Sequence, residues 1–393
     1  MSHDEGESNV KLNRTGVAAG LIAGAIALAA CSSSGSTGST NPPTSTGTGT
    51  STSPSTTDSS APAATAPVCS TGTLNAEGST AQTNAINQWI KDYQSACTGA
   101  TINYNPTGSG AGVSQFNAGK VDFAGSDSAL DPTKGEVASA QKRCGSSPMD
   151  LPMVVGPIAV AYKLKGVDKL ILNGEVTAKI FLGKITSWND AAIAALNPGV
   201  TLPSTKISVF YRSDSSGTTQ NFERYLAATA PAVFKSAPDK DSSKAGFVGQ
   251  GKAKSQGVSA ALAATEGSIG YDEFSFAVSS GLQTAWIDNG GGPVELSKDT
   301  ASAAAEAAQV VGTGTDLSLK LDYATKTPGA YPIILVTYEL ACTKYANAAT
   351  GTFVKNFLNY TVNGGQAALA GLGYAPLPAA LQTKVEASIA TIS

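Results

Sequence analysis

Three short clusters of glycine and hydroxyl side chains carry the chemistry most legible in this sequence. They are Gly78-Ser79-Thr80-Ala81, Gly108-Ser109-Gly110-Ala111-Gly112 and Ser215-Ser216-Gly217-Thr218-Thr219. Each follows a strand-like segment and precedes residues with helical spacing, which places it at a helix N-terminus. The first N–H groups of a helix lack intrahelical partners, and its dipole adds about half a positive charge there, so such a terminus is preformed for an anion. Glycine lets the backbone approach a ligand, and each Ser or Thr adds a hydroxyl donor. N-capping accounts for any one cluster taken alone. Three of them in one chain, with an arginine beside the third, point to a bound oxyanion.

That arginine is Arg212, in Tyr211-Arg212-Ser213-Asp214. At the end of a strand just ahead of the third cluster, its guanidinium can give paired hydrogen bonds to two oxygens of a tetrahedral anion. Asp214 can pair with it at the surface or orient it as a supporting partner. Asp127, in Gly125-Ser126-Asp127-Ser128, is the informative exception. A carboxylate facing a dianion is repulsive unless the ligand brings a proton for it to accept. Phosphate near neutral pH carries such a proton and sulfate does not, so Asp127 selects the first and rejects the second. Its alternative use is as a turn or N-cap residue before Leu130 and Asp131-Pro132.

Composition narrows the function classes. The only histidine is His3, within a removable leader, so the mature chain lacks the imidazole of Ser-His-Asp and Cys-His catalysis and of His-based metal sites. No clear carboxylate or cysteine metal cluster and no activated nucleophile is evident, and neither a metal nor a cofactor is expected. With 26 Lys+Arg against 29 Asp+Glu, the chain has no field for coating phosphate backbones, so nucleic acid is not an expected partner.

The elements that position these residues read as α/β. Strand-like runs at Thr101 to Tyr104, Val121 to Ala124, Val154 to Tyr162, Ile207 to Tyr211, Ser268 to Tyr271 and Tyr331 to Tyr338 alternate with helical patterns such as Ala85, Ile86, Trp89, Ile90 and Tyr93. Such alternation predicts mainly parallel sheets. Ahead of this body, Lys11 and Arg14 precede the apolar stretch Val17 to Ala30, too short to span a bilayer, and the run ends in Leu28-Ala29-Ala30-Cys31. This resembles a bacterial lipobox, which makes 1–30 a signal peptide and Cys31 the site of an acyl (palmitate) anchor. Residues 31–68 are dominated by Ser, Thr, Gly, Pro and Ala, and read as a disordered tether. In an exported chain the remaining four cysteines favour disulfides, and of the three possible pairings the expected one joins Cys97 to Cys144 and Cys69 to Cys342.

From about Leu74 onward the chain resembles the PstS family, the phosphate-binding proteins of bacterial ABC phosphate importers. The matching stretches include Gly78-Ser79-Thr80, Thr107 to Val113, Val121 to Asp127 and Arg212 to Thr218. Further agreement comes from Gly183 to Asp190, Leu196 to Gly199 and Gly267 to Tyr271. The resemblance implies that Ser79, Thr80, Ala81, Ser109, Asp127, Arg212, Ser216, Gly217 and Thr218 bind phosphate, with Asp214 in support. Ala81 stands where some relatives have a larger apolar residue, but the implied contact there is through the backbone.

The family fold implies a two-lobed, type II-like periplasmic-binding-protein architecture with two hinge crossovers and the anion site in the interdomain cleft. Domain I would comprise 69–155 and 333–393, and domain II 156–332. The implied role is a monomeric, non-enzymatic receptor, lipid-anchored at the extracytoplasmic face of the cell membrane, that delivers phosphate to an ABC permease. Another tetrahedral oxyanion such as sulfate or molybdate, a phosphatase and a surface adhesin are the competing readings.

Overall fold

The structure is a computed structural model that describes residues 66–393; the expected signal segment, Cys31 and nearly all of the tether lie outside the described residues. The body opens with β1 (Gly72–Gly78), α1 (Thr83–Ala96), β2 (Ala100–Pro106), α2 (Ser109–Asn117), β3 (Phe123–Ser126), α3 (Glu136–Cys144) and β4 (Pro148–Lys163). Next come β5 (Ile171–Leu172), α4 (Gly174–Phe181), α5 (Ala191–Leu196), β6 (Ser208–Arg212), α6 (Gly217–Thr229), β7 (Gln250–Lys252), α7 (Lys254–Ala264) and β8 (Ser268–Glu273). The chain continues through α8 (Phe274–Ser279), β9 (Gln283–Thr284), β10 (Trp286–Asp288), β11 (Pro293–Val294) and α9 (Lys298–Glu306). It closes with the pair β12 (Gln309–Val310) and β13 (Leu319–Lys320), then β14 (Ile334–Cys342), α10 (Ala348–Val362) and α11 (Ala379–Ala390).

The main sheet has the order β2-β1-β3-β14-β4-β8-β6-β7. Its spine is β4, whose run from Met149 to Tyr162 is buried throughout, as expected of a strand covered on both faces. The first part of β4 pairs with β14 and the last part with β8, so one strand carries two half-sheets. Parallel pairing holds at the flanks, where β1 lies between β2 and β3 and β6 lies between β7 and β8. At the centre, β14 is antiparallel to both β3 and β4. The expectation of mainly parallel sheets therefore holds only at the flanks, because β14 returns after the second half-sheet is complete and runs back into the first.

Helix α1 buries Ala85, Ile86, Trp89 and Tyr93 on one face, and the Trp89 indole donates to Gly365 O over 2.8 Å. A second aromatic group formed by Phe181, Phe222, Phe247 and Tyr271 fills the other half of the core. Tilted and stacked contacts of this kind fix helix positions, and hence the positions of helix N-termini. Among the described residues no helix is long and apolar enough to cross a membrane.

The disulfides join Cys69 to Cys97 and Cys144 to Cys342, not the expected partners. Local topology explains the correction. Cys69 precedes β1, and Cys97 caps α1 just before β2, which lies parallel to β1 with Gly72 opposite Ala100; the β-α-β turn returns Cys97 to within 5.1 Å of Cys69, Cα to Cα. Cys144 ends α3 immediately ahead of β4, and Cys342 lies opposite Pro148 at the end of β14, leaving 5.5 Å between the Cα atoms. Both distances suit a disulfide.

Candidate anion-binding site

The three clusters meet where the two half-sheets adjoin. Gly78 ends β1 at φ +144°, and a Cβ there would stand 2.0 Å from Gly125 O, so only glycine allows β1 and β3 to close on the loop that follows. Ser109 opens α2, and Ser216 caps α6 by accepting from Thr219 N over 3.2 Å. A Cβ on Gly217 would lie 2.6 Å from Asp127 Cβ and 2.7 Å from Ser109 Oγ, which shows how closely the start of α6 approaches the residues from the other half. The Gly110 N–H donates to Ser215 O over 3.0 Å across the same junction.

Asp127, 2% exposed, is the acceptor on which these elements converge. Thr337 donates to its Oδ1 over 2.9 Å, Ser109 and Thr218 each donate to Oδ2 over 3.2 Å, and Ser79 donates to Oδ1 at short range. Its own N–H goes to Ser109 Oγ at 3.1 Å, and Asn221 Nδ2 donates to its carbonyl over 2.6 Å. The turn-capping role considered for Asp127 belongs instead to Asp131, which accepts from Thr133 N.

Arg212 is 1% exposed. Its Nε donates to Asp214 Oδ1 over 2.8 Å and its Nη2 to Asp214 Oδ2, while Nη1 reaches Ser255 Oγ at 3.3 Å. Asp214 is fixed in turn by the Lys254 N–H at 2.8 Å. Burial opposes the Arg212 charge, but the hydrogen bonds and charge of Asp214 outweigh it and hold the guanidinium above its ordinary pKa. Burial likewise works against ionised Asp214, and the Arg212 bonds overcome it, keeping that carboxyl below the usual range. Asp272 lies close enough to feel Arg212, yet burial pushes it up to about 8. The site thus has one buried cation among several acids, so attraction for an anion falls to oriented N–H and O–H dipoles.

Thr80 completes the junction. Its Oγ1 lies 3.0 Å from Ser255 Oγ and accepts from Ser255 N at 3.2 Å. Ala81 N is engaged by Ser79 Oγ at 3.1 Å. The nine residues expected to touch the ligand are thus buried and lie along the junction of the two halves, with Asp214 half-buried beside Arg212. Thr337, Ser255 and Asn221 were not singled out from sequence. Thr337 lies in an apolar strand with no glycine beside it, and at the start of α7 the glycines near Ser255, Gly251 and Gly257, are separated from it by Lys, Ala and Gln rather than joined to it in a Gly/Ser/Thr cluster.

The family model described as PBP superfamily domain matches residues 43–364. The chain is 46% identical over 325 residues to phosphate-binding protein PstS 3 of Mycobacterium tuberculosis (strain ATCC 25618 / H37Rv), covering 82% of this chain and 87% of that one. It is 35% identical over 305 residues to phosphate-binding protein PstS of Xylella fastidiosa (strain Temecula1 / ATCC 700964), covering 77% and 80% respectively. The solved structure of a high affinity periplasmic phosphate-binding protein (PfluDING) bound with phosphate shares the fold, with a TM-score of 0.65 and 24% identity over 80% of this chain and 93% of that one. With a superfamily match over most of its length and relatives this similar, the chain belongs to the PstS family of the PBP superfamily.

Proposed function

We propose that this protein is an extracytoplasmic receptor that binds inorganic phosphate and delivers it to the membrane permease of an ABC importer, without covalent chemistry. The observation that carries the reading is Asp127, a buried carboxylate ringed by four hydroxyl donors at the meeting point of helix N-termini. When a protonated anion arrives, those hydroxyls can turn their protons to its oxygens, and Asp127 then accepts the proton that the ligand brings. Sulfate has none to give. The names of the relatives, phosphate-binding proteins of the PstS type, support the same ligand.

In this reading Ser79, Thr80, Ala81, Ser109 and Asp127 come from domain I (69–155 and 333–393), and Arg212, Ser216, Gly217 and Thr218 from domain II (156–332). Asp214 holds Arg212 in place. The change of pairing partner along β4 supports a hinge there and in β14. A ligand bonded from both sides stabilises the closed arrangement, which is the differential contact that hinge closure requires. The receptor acts as a monomer tethered through lipid on Cys31. Replacing Cys31 with Ala should release the chain from membranes.

The ligand assignment is tested by displacement. Labelled phosphate held by the protein should be displaced by excess arsenate, which is also protonated near neutral pH, and not by sulfate or molybdate. Displacement by sulfate would contradict it. Turnover of a chromogenic phosphate ester would overturn the non-enzymatic assignment.

A further inference from the structure

Glu339 is a fully buried acid that the anion site does not touch. It lies on β14 directly opposite Gly125 of β3. Gly125 leaves the space above it to two side chains: a Cβ there would stand 2.1 Å from Gln82 Nε2 and 2.6 Å from the Tyr104 hydroxyl. Gln82 Nε2 donates to the Tyr104 hydroxyl over 3.0 Å, and Tyr104 donates to Ser79 O over 2.8 Å. The Ser79 carbonyl shares its peptide with the Thr80 N–H. In a trans peptide the two groups point in opposite directions, so the bond from Tyr104 turns the Thr80 N–H away from the core.

At the other end of this chain of bonds are three buried oxygens without a partner: Gln82 Oε1 and both carboxyl oxygens of Glu339. Buried acceptors left without a donor are costly. One proton resolves the conflict, because a neutral Glu339 can donate to Gln82 Oε1 and every bond from there to Ser79 O then runs in the same direction.

We infer that Glu339 is held as the neutral acid and is the positioning residue that, through Gln82 and Tyr104, aims the Thr80 amide at the bound anion. The inference rests on the phosphate reading of the site. Burial is the main reason for the neutral form and pushes Glu339 up to about 8, with the Gln82 contact opposing and Asp127 reinforcing. The charges acting on this cluster come from acids, Asp127 on Glu339 and both Asp127 and Glu77 on Tyr104. Loss of the proton at alkaline pH sets a carboxylate against Gln82 Oε1, breaks the directional order and adds negative charge near the anion.

The experiment measures phosphate affinity of the wild type, Glu339→Gln and Glu339→Met from about pH 6.5 to about pH 9.5. Ratios between variants cancel the titration of phosphate itself. Glu339→Gln keeps a donor for Gln82 Oε1, so it should match the wild type at the acidic end and bind about tenfold more tightly than the wild type at the alkaline end. Glu339→Met loses the donor and should bind more weakly at the acidic end, with no extra alkaline decline. Wild-type and Glu339→Gln profiles that superimpose across the range overturn the inference while leaving the phosphate reading intact. Absence of wild-type phosphate binding overturns both. If Glu339→Gln fails to fold, the Met variant decides: an alkaline decline as steep as that of the wild type overturns the inference.

Discussion

Thr337 donates to Asp127 Oδ1 over 2.9 Å across 210 positions of sequence. The bond ties the central strand β14 to the loop after β3, so the acceptor at the heart of the anion site is held by the spine of the sheet as well as by the helix termini. A carboxylate with this many fixed donors is ordered before a ligand arrives. Preorganisation of that kind leaves only hydroxyl protons to turn at the carboxylate when the ligand arrives, which limits the local cost of binding.

Asp127→Asn tests the proton argument. The amide can donate as well as accept, so sulfate should bind the variant, and the ratio of phosphate to sulfate affinity should fall by about tenfold or more. Thermal stability should change less than selectivity, because Asn can still accept some of the same hydroxyl bonds. Calorimetric titration with both anions checks this, and unchanged selectivity would remove Asp127 from its role.

Gly217→Ala tests the closeness of α6 to the opposite half. The added methyl would meet Asp127 Cβ at 2.6 Å and Cα at 3.0 Å, atoms fixed by the backbone, as well as Ser109 Oγ at 2.7 Å. Affinity for phosphate should drop by about tenfold or more, since overpacking typically costs about 1–3 kcal/mol. Gly371→Ala, where a Cβ would have nothing within 4 Å, should leave affinity unchanged.

The disulfides should differ in their contribution to stability. The Cys144–Cys342 link spans 198 positions and the Cys69–Cys97 link 28. In the chain-entropy treatment, removing the longer link costs about 1.5–2 kcal/mol more than removing the shorter one. Paired Cys→Ser variants compared by denaturant unfolding measure the difference, and an equal loss would show that strain or residual structure outweighs loop length.

These pairings also mark how far the sequence could be read. The anion clusters were legible because Gly, Ser and Thr at a strand-to-helix junction have a local physical meaning, and Arg212 and Asp127 stood out because a buried cation and a buried acceptor each have a distinct use at an anion site. Whereas the Cys69–Cys97 pairing follows from one β-α-β unit, Thr337 and the Cys144–Cys342 pairing depend on which strands lie side by side, a nonlocal property that no spacing encodes. The antiparallel centre was missed for the same reason: the apolar runs of β4 and β14 predict burial on both faces but not direction.

Stability should fall as pH rises through the neutral range. Burial pushes Asp150, Glu223, Asp272 and Glu339 each up to about 8, so between the ordinary carboxyl range and that value the folded chain binds more protons than the unfolded one. The slope of unfolding free energy with pH is then negative, and the contribution of the protonated acids is lost by the time pH passes about 8. Asp214 acts in the opposite sense: its lowered carboxyl stabilises the fold at neutral pH, and that contribution is lost as pH falls below about 4. Ligand-free protein should therefore melt several degrees higher at about pH 5.5 than at about pH 8.5 by calorimetry. A flat profile would mean that these buried acids are ionised in the folded state.

The central claim is that oriented dipoles around an accepting carboxylate select a protonated tetrahedral anion, and calorimetric titration of the anion-stripped wild-type protein with phosphate and then sulfate tests it most directly. The account predicts one phosphate per chain with a dissociation constant near micromolar, about −8 kcal/mol, and no heat from sulfate. Comparable binding of both anions would contradict the selectivity assigned to Asp127, and binding of neither would contradict the receptor itself.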